Sequence, residues 1–224
     1  MRDDEYAELR QRMVAEIAAV AVFSSGETGQ AALDARVLEA MGRVPRHEFV
    51  PLELRPHAYV NSPLPIGCDK TISQPFICAL MTDLLAPRPA DRVLEIGTGL
   101  GYQAAVLAGL VHTVYSVEVI EALAGQAKRR LAAYKNVVLR SGNGYYGWPE
   151  HAPYDKVIVT AAPDLIPPML IQQLKPGGRM VIPAGLPETQ QLMLLEKDAD
   201  GRAKTKEILR VRFSLLEGAD NLGA

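Results

Sequence analysis

The sequence predicts an α/β protein: a doubly wound, mostly parallel sheet of seven strands with an antiparallel edge and an added N-terminal helical segment. Three observations carry this expectation. Residues 92–183 alternate short apolar runs with helical stretches, the pattern of βαβ units on a parallel sheet. A glycine-rich turn ends the first of these strands and opens a helix. Two alternating segments flank a polar turn near the C-terminal end, as an antiparallel pair would.

The elements follow in order. Residues 3–22 place Tyr6, Leu9, Met13, Ile17 and Val20 at helical spacing, giving one apolar face. A second helix is expected over 33–41, with Val37, Leu38 and Met41 inward. Residues 43–75 carry Pro45, Pro51, Pro56, Pro63, Pro65 and Pro75, which break any long helix. Extended chain and turns are expected there, packed by Phe49, Val50, Leu52, Tyr59, Val60, Leu64 and Ile66. Pro75 suits the first turn of a helix running to about residue 85. Strands are expected at 92–96, 113–118, 137–139, 156–160 and 179–183, with helices at 101–109, 121–133 and 167–174. The antiparallel pair is 191–196 and 207–213, around the turn 198–204.

Composition narrows the function class. A chain of 224 residues buries enough surface to need neither disulfide nor metal, and it is read as a single domain. Its parts are N-terminal helices with a covering segment (1–75), an α/β core (76–216) and a tail (217–224). The net charge of -2 argues against a nucleic-acid binder that relies on bulk electrostatics. The charged N-terminal stretch 1–12 has no signal-peptide core behind it, and the apolar run 17–23 is too short to span a bilayer. Cys68 and Cys78 form no CxxC and stand near no histidine cluster, so no metal site is expected. Both read as small buried residues, and a reducing cytoplasm is the simplest compartment.

The informative motif is Val93-Leu94-Glu95-Ile96-Gly97-Thr98-Gly99-Leu100-Gly101-Tyr102. Glycines allow a tight turn and close approach of a ligand to the backbone, and a helix start offers free N–H groups. The dinucleotide fingerprint is GxGxxG, whereas here the third glycine comes one residue early and Glu95 precedes the loop. ExGxGxG is the pattern of S-adenosylmethionine-dependent methyltransferases. Glu118, followed by Val119, ends the next strand where a carboxylate can accept both ribose hydroxyl donors, a role that serves either cofactor. There is no Tyr-x-x-x-Lys pair for hydride transfer, and Thr160-Ala161-Ala162-Pro163 stands where base-modifying enzymes carry Asn/Asp-Pro-Pro-aromatic.

With its neighbours added, the sequence resembles the protein-L-isoaspartate (D-aspartate) O-methyltransferase family over about residues 41–216. The most specific stretch is Ala58-Tyr59-Val60-Asn61-Ser62-Pro63-Leu64-Pro65-Ile66-Gly67, then Lys70-Thr71-Ile72-Ser73-Gln74-Pro75. Upstream stands Arg46-His47-Glu48-Phe49-Val50-Pro51. Downstream stand Ala152-Pro153-Tyr154-Asp155, Gln173-Leu174-Lys175-Pro176-Gly177-Gly178-Arg179 and Pro183-Ala184-Gly185. The resemblance implies a Rossmann-like methyltransferase sheet and methyl transfer from S-adenosyl-L-methionine, leaving S-adenosyl-L-homocysteine. The acceptor would be the carboxylate of isoaspartyl residues in damaged proteins and peptides. The methyl ester then collapses to a succinimide that can reopen to aspartate.

The resemblance also implies a site. Thr71, Ile72 and Ser73 would line the junction of cofactor and substrate, with Ser73 the candidate catalytic residue. Glu95, Gly97, Thr98, Gly99, Gly101, Glu118, Val119, Asn143 and Gly144 would meet the cofactor, and Gln191 would lie near it. Pro65 and Ile66, with Ser73, would meet the peptide. A carboxyl with a pKa near ~4 is already ionised at neutral pH, so no general base is needed. Ser73 is then expected to orient the carboxylate by hydrogen bonding; its bland alternative is a helix N-cap. The four histidines read as surface or structural residues. Tyr145, Tyr146 and Trp148 could stack on adenine or peptide, or pack in the core. A same-fold enzyme redirected to a particular peptide aspartate, and a binding protein without turnover, stand as alternatives. A monomer that binds neither nucleic acid nor membrane is expected.

One stretch, Arg140-Ser141-Gly142-Asn143-Gly144-Tyr145-Tyr146-Gly147-Trp148, offers an Asn-Gly hairpin signal between apolar runs. Within a parallel sheet it reads instead as the loop after the third strand, at the edge where ligands bind. The resembled family has Gly-Asp-Gly there, its acid accepting from the adenine amino group, and Asn143 could accept the same bond. Asn followed by Gly is also prone to deamidation, so Asn143 could itself drift to aspartate or isoaspartate.

Overall fold

The computed structural model describes residues 2–218. Residues 219–224, most of the expected tail, lie outside the described residues. Helix α1 (Asp3–Phe23) turns Tyr6, Met13, Ile17 and Ala21 inward, and a single helical turn, α2 (Ser25–Thr28), follows it. Each aliphatic side chain buried to this degree contributes about 1.5–3 kcal/mol, so the N-terminal helix is held by its apolar face. Helix α3 (Ala35–Arg43) begins at Asp34, whose carboxylate accepts from Arg36 N at 2.8 Å.

The proline-rich stretch is more ordered than extended chain. Short 3₁₀ turns cover Arg46–Phe49 and Leu52–His57, and β1 (Leu64–Gly67) pairs antiparallel with β2 (Lys70–Ile72). The hairpin turn is Cys68-Asp69, with both residues at positive φ (52° and 55°), the backbone that a two-residue primed turn requires. Cys68 is therefore exposed, against expectation, while Cys78 is buried. Phe49, Val50, Tyr59 and Ile66 pack into the core as expected, but Leu52 and Val60 face solvent. Helix α4 (Pro75–Leu85) starts where Asn61 Oδ1 accepts from Phe76 N at 2.9 Å, so the extended segment supplies its cap.

The core then alternates as predicted: β3 (Arg92–Ile96), α5 (Tyr102–Ala108), β4 (Thr113–Glu118), α6 (Glu121–Arg130), β5 (Val137–Ser141), β6 (Tyr154–Val159), α7 (Pro168–Gln172) and β7 (Leu174–Ala184). Strand β7 starts earlier than predicted because its pairing with β6 is irregular, shifting register between Tyr154 and Lys156. β8 (Gln191–Lys197) and β9 (Ala203–Arg210) complete a seven-stranded sheet of order β5-β4-β3-β6-β7-β8-β9. Pairing is parallel from β5 to β7 and antiparallel at the β8 and β9 edge. The Asn143-Gly144 stretch is not a hairpin; it follows β5, and Asn143 caps a 3₁₀ turn over Gly144–Tyr146.

Alternation divides the core in two. Val93, Val114, Ile158 and Val181 face a cluster shared with α1, α3, α4, α5 and α6. Leu94, Ile96, Val157, Val159, Met180 and Ile182 face another, with Leu170 of α7 and Trp148. Successive sheet residues point to opposite faces, and both faces are covered, so the central strands read as continuous apolar runs. No described helix is long and apolar enough to cross a membrane.

Candidate active site

The strand order reverses at β3, with β4 on one side and β6 on the other. The crevice at the carboxyl ends of β3 and β6 is where open α/β sheets bind ligands, and a cavity opens there. Its walls are the loop Gly97, Thr98, Gly99 and Leu100, the end of β4 at Glu118 and Val119, and Gly144. The hairpin roofs it with Ile66, Lys70, Thr71 and Ile72, followed by Ser73, and residues 214–217 close the remaining side.

The loop is shaped by close approach. Gly97 has φ +94°, and a Cβ there would lie 2.5 Å from Thr160 Oγ1. That hydroxyl donates to the carbonyls of Ile96 (3.1 Å) and Gly97 (2.6 Å), tying β6 to the loop. At Gly144 the constraint is space rather than φ, since a Cβ would fall on Ile96 Cγ2. A side chain at either position would push the backbone away from the crevice floor.

Glu118 ends β4 with its carboxylate fixed by two backbone donors, Gly99 N at 2.7 Å to Oε2 and Ile120 N at 3.0 Å to Oε1. Burial pushes its pKa up, and these donors, the Val119 N–H and the charge of Lys70 oppose the shift. Three backbone donors leave the carboxylate about one of its four lone-pair sites, and Glu118 itself lines the cavity.

Ser73 is half-buried on the cavity wall. It is not the N-cap of α4; that position belongs to Gln74, so the Ser73 hydroxyl is not used as the cap. Its carbonyl accepts from Arg46 Nη2 at 2.8 Å. Arg46 is fully buried, donates from Nε to Ala58 O at 2.8 Å, and lies over the Tyr102 ring at 4.8 Å. A buried guanidinium thus braces the backbone that presents Ser73. In the sequence Arg46 stands only within a motif, and its distance of 27 residues from Ser73 hides the role.

Five of the expected residues do not line the cavity. Glu95 points to the same face as Val93, where Ser116, its register partner on β4, donates to its Oε2 while Oε1 has no partner among the described residues. Burial pushes its carboxyl up to about 8, against the Ser116 bond. It touches the site only through a chain, because Ser116 Oγ also bonds Thr98 Oγ1 at 2.6 Å and Thr98 lines the wall. Asn143 Oδ1 accepts from Tyr145 N at 3.0 Å as the cap of its own turn, which competes with an adenine contact. Gln191 sits in the ladder between Ala184 and Arg210, and Pro65 lies on the outer side of the hairpin, exposed. Gly101 caps α5 beside Leu131 rather than facing the cavity.

Other side chains resolve into structural roles. His47 stacks on Tyr6 (3.8 Å between centroids) and bonds the Tyr59 hydroxyl through Nδ1 at 2.7 Å. Trp148 is buried, whereas Tyr146 is exposed. Tyr145 donates to Leu216 O at 3.1 Å, pinning the segment that closes the cavity. The part played by residues 214–217 had no periodic or compositional signal. Among the described residues no group of three or more His, Cys, Asp or Glu could hold a metal.

The sequence matches the family described as protein-L-isoaspartate(D-aspartate) O-methyltransferase over residues 21–220. The chain belongs to that family. A protein-L-isoaspartate O-methyltransferase 1 of Polaromonas sp. strain JS666 is 65% identical over 222 residues, covering 98% of this chain and 94% of that protein. A relative of the same name from Cupriavidus necator is 58% identical over 219 residues, covering 96% and 85%. Among solved structures, a protein-L-isoaspartate O-methyltransferase superposes with a TM-score of 0.80 at 30% identity, covering 94% of this chain and 66% of that one. A Plasmodium falciparum protein solved with S-adenosyl-L-homocysteine gives a TM-score of 0.75 at 20% identity, over 93% of this chain and 98% of that one, and so shares the fold.

Proposed function

We propose that this protein is a carboxyl methyltransferase that methylates the free carboxylate of L-isoaspartyl and D-aspartyl residues in damaged proteins and peptides, starting their repair through a succinimide. The observation that carries the reading is family membership across residues 21–220 combined with a cavity that joins the glycine loop, Glu118 and Ser73. S-adenosyl-L-methionine is the cofactor, and bound there it supplies an electrophilic sulfonium methyl and leaves as S-adenosyl-L-homocysteine. The residues present suit it: a glycine loop packed too closely on Thr160 and Ile96 to carry side chains, and a carboxylate at the end of β4 on the cavity wall.

The chain's own task is positional. The attacking carboxylate oxygen forms the C–O bond as the S–CH₃ bond breaks, and sulfur keeps the electron pair; no proton moves. The protein must therefore strip water from the carboxylate and hold it about 3–3.5 Å from the methyl carbon, in line. Ser73 is proposed to donate a hydrogen bond that fixes the carboxylate, with Arg46 holding Ser73's backbone still. Glu118 is proposed to take the ribose hydroxyls, the Gly97–Gly99 loop with Thr98, Val119 and Gly144 to seat the cofactor, and Thr71, Ile72 and Ile66 to cover the junction. Glu95 is proposed to act from behind the loop, through Ser116 and Thr98, and Asn143 to shape the adenine end. Gln191 and Pro65 are placed at most on the rim.

The chain is further proposed to act as one domain, because α1 and α3 share a core with the sheet. A monomer in the cytoplasm, handling peptides rather than nucleic acid or membrane, agrees with its near-neutral charge and free cysteines. The reading is tested by offering labelled S-adenosylmethionine with an isoaspartyl peptide and its normal-aspartyl twin. Base-labile methyl ester on the isoaspartyl peptide alone supports it. Label on the normal peptide favours a redirected enzyme, and label on neither favours a binding protein.

A further inference from the structure

The cavity has one cationic side chain among the described residues that line it, Lys70, and its ammonium is already taken. Lys70 Nζ meets Glu217 Oε1 at 2.5 Å, across 147 residues of sequence. Lys70 opens β2, three residues ahead of Ser73, while Glu217 comes from the segment that closes the opposite side. That segment is anchored just upstream, where Leu215 bridges Ala162 and the Leu216 carbonyl accepts from Tyr145. The pair therefore spans the cavity from roof to far wall.

We infer that Lys70 recruits the substrate carboxylate, and that Glu217 holds its ammonium in the free protein as an internal stand-in for that carboxylate. This rests on the carboxyl-methyl-transfer reading of the site. Methyl transfer requires an anion to enter a cavity whose other lining carboxylate, Glu118, is also negative. Without a cation that entry would be opposed. Lys70 supplies the cation, and exchanging one carboxylate for another leaves the charge of the cavity unchanged.

The exchange is feasible because neither side chain is fully buried: the two are 19% and 30% exposed, so water can take up the Glu217 carboxylate when it leaves the ammonium. It also runs in one direction. Once methylated, the substrate is a neutral ester with no charge to hold the ammonium. Glu217 then returns to Lys70 and the ester is displaced.

A brace and a recruiting site make opposite predictions. Peptide KM is measured with an isoaspartyl peptide at saturating S-adenosylmethionine for the wild type, Lys70→Gln and Glu217→Gln, with salt titrations of kcat/KM. Lys70→Gln should raise KM by roughly tenfold, the scale of one charge-assisted hydrogen bond, and flatten the salt dependence. Glu217→Gln should lower KM by freeing the ammonium and keep the salt dependence. In both variants KM should move more than kcat. Shifts of the same sign, or any pattern other than opposite shifts, would overturn the inference. Failure of the wild type to methylate the isoaspartyl peptide at all would instead overturn the functional reading beneath it.

Discussion

Replacing Gly97 by alanine tests whether the loop is built by close approach. Its φ of +94° is strained for any L side chain, at a cost of about 1–3 kcal/mol. The new Cβ would also lie 2.5 Å from Thr160 Oγ1. To make room Thr160 must rotate and surrender a bond to Ile96 or Gly97, worth about 0.5–1.5 kcal/mol. The sum is about 1.5–4.5 kcal/mol, which at about 2–4 °C per kcal/mol lowers the thermal midpoint by roughly 3–18 °C. Gly67 is the internal control, with φ +92° and nothing within 4 Å of a Cβ. Gly67→Ala should show strain alone. Urea denaturation of Gly97→Ala, Thr160→Ala and the double variant isolates the contact. In the Thr160→Ala background Gly97→Ala should cost no more than Gly67→Ala. Additivity of the two substitutions within about 0.3–0.5 kcal/mol would refute the reasoning.

Glu95 gives a pH test. Its carboxyl moves from an ordinary 4.5 to about 8 in the folded protein, so between those values the folded state keeps a proton that the unfolded state has lost. Stability contributed by the neutral carboxyl is full below about 4.5 and is lost as pH rises toward 8, at up to about 1.4 kcal/mol per unit. Glu95→Gln, its uncharged isostere, should remove that decline in urea titrations; an unchanged slope would count against a buried neutral acid. Ser73→Ala should lower kcat by about 10- to 100-fold, one charge-assisted hydrogen bond, while calorimetry shows S-adenosylmethionine still bound. Normal kcat with weakened cofactor binding would sink its proposed role. Asn143, held by Tyr145 N and followed by a Gly144 packed on Ile96, should deamidate more slowly in the folded protein than in urea. Peptide mapping that finds equal rates would show that this capping does not protect it.

Much of the fold was legible because the central strands are buried on both faces and read as unbroken apolar runs between glycine and proline punctuation. Strand β3, helix α4 and strand β4 fall at their expected bounds. The hairpin over the site escaped notice because its turn is Cys68-Asp69, which lacks the glycine that usually marks positive φ. Glu95 looked like a ligand contact from its place before the loop, but strand alternation turns it to the same face as Val93, away from the crevice. Asn143 was legible as a loop residue, whereas the use of its oxygen as a local cap depends on backbone geometry. Lys70 and Glu217 were invisible as a pair because no local pattern connects residues so far apart in the chain. Ser73 shows the converse: a helix N-cap role was legible for it beside a site role, and the backbone gives the cap position to Gln74 instead.

To act on isoaspartyl residues this cavity must distinguish a carboxylate displaced by one methylene in the backbone. The most direct measurement is kcat/KM for an isoaspartyl peptide against its normal-aspartyl twin, read as base-labile methyl ester from labelled S-adenosylmethionine. One methylene in a fitted site discriminates by roughly 10–200-fold, so the isoaspartyl peptide should be preferred by at least that range. Equal values for the two peptides, or a preference for the normal one, would contradict the account.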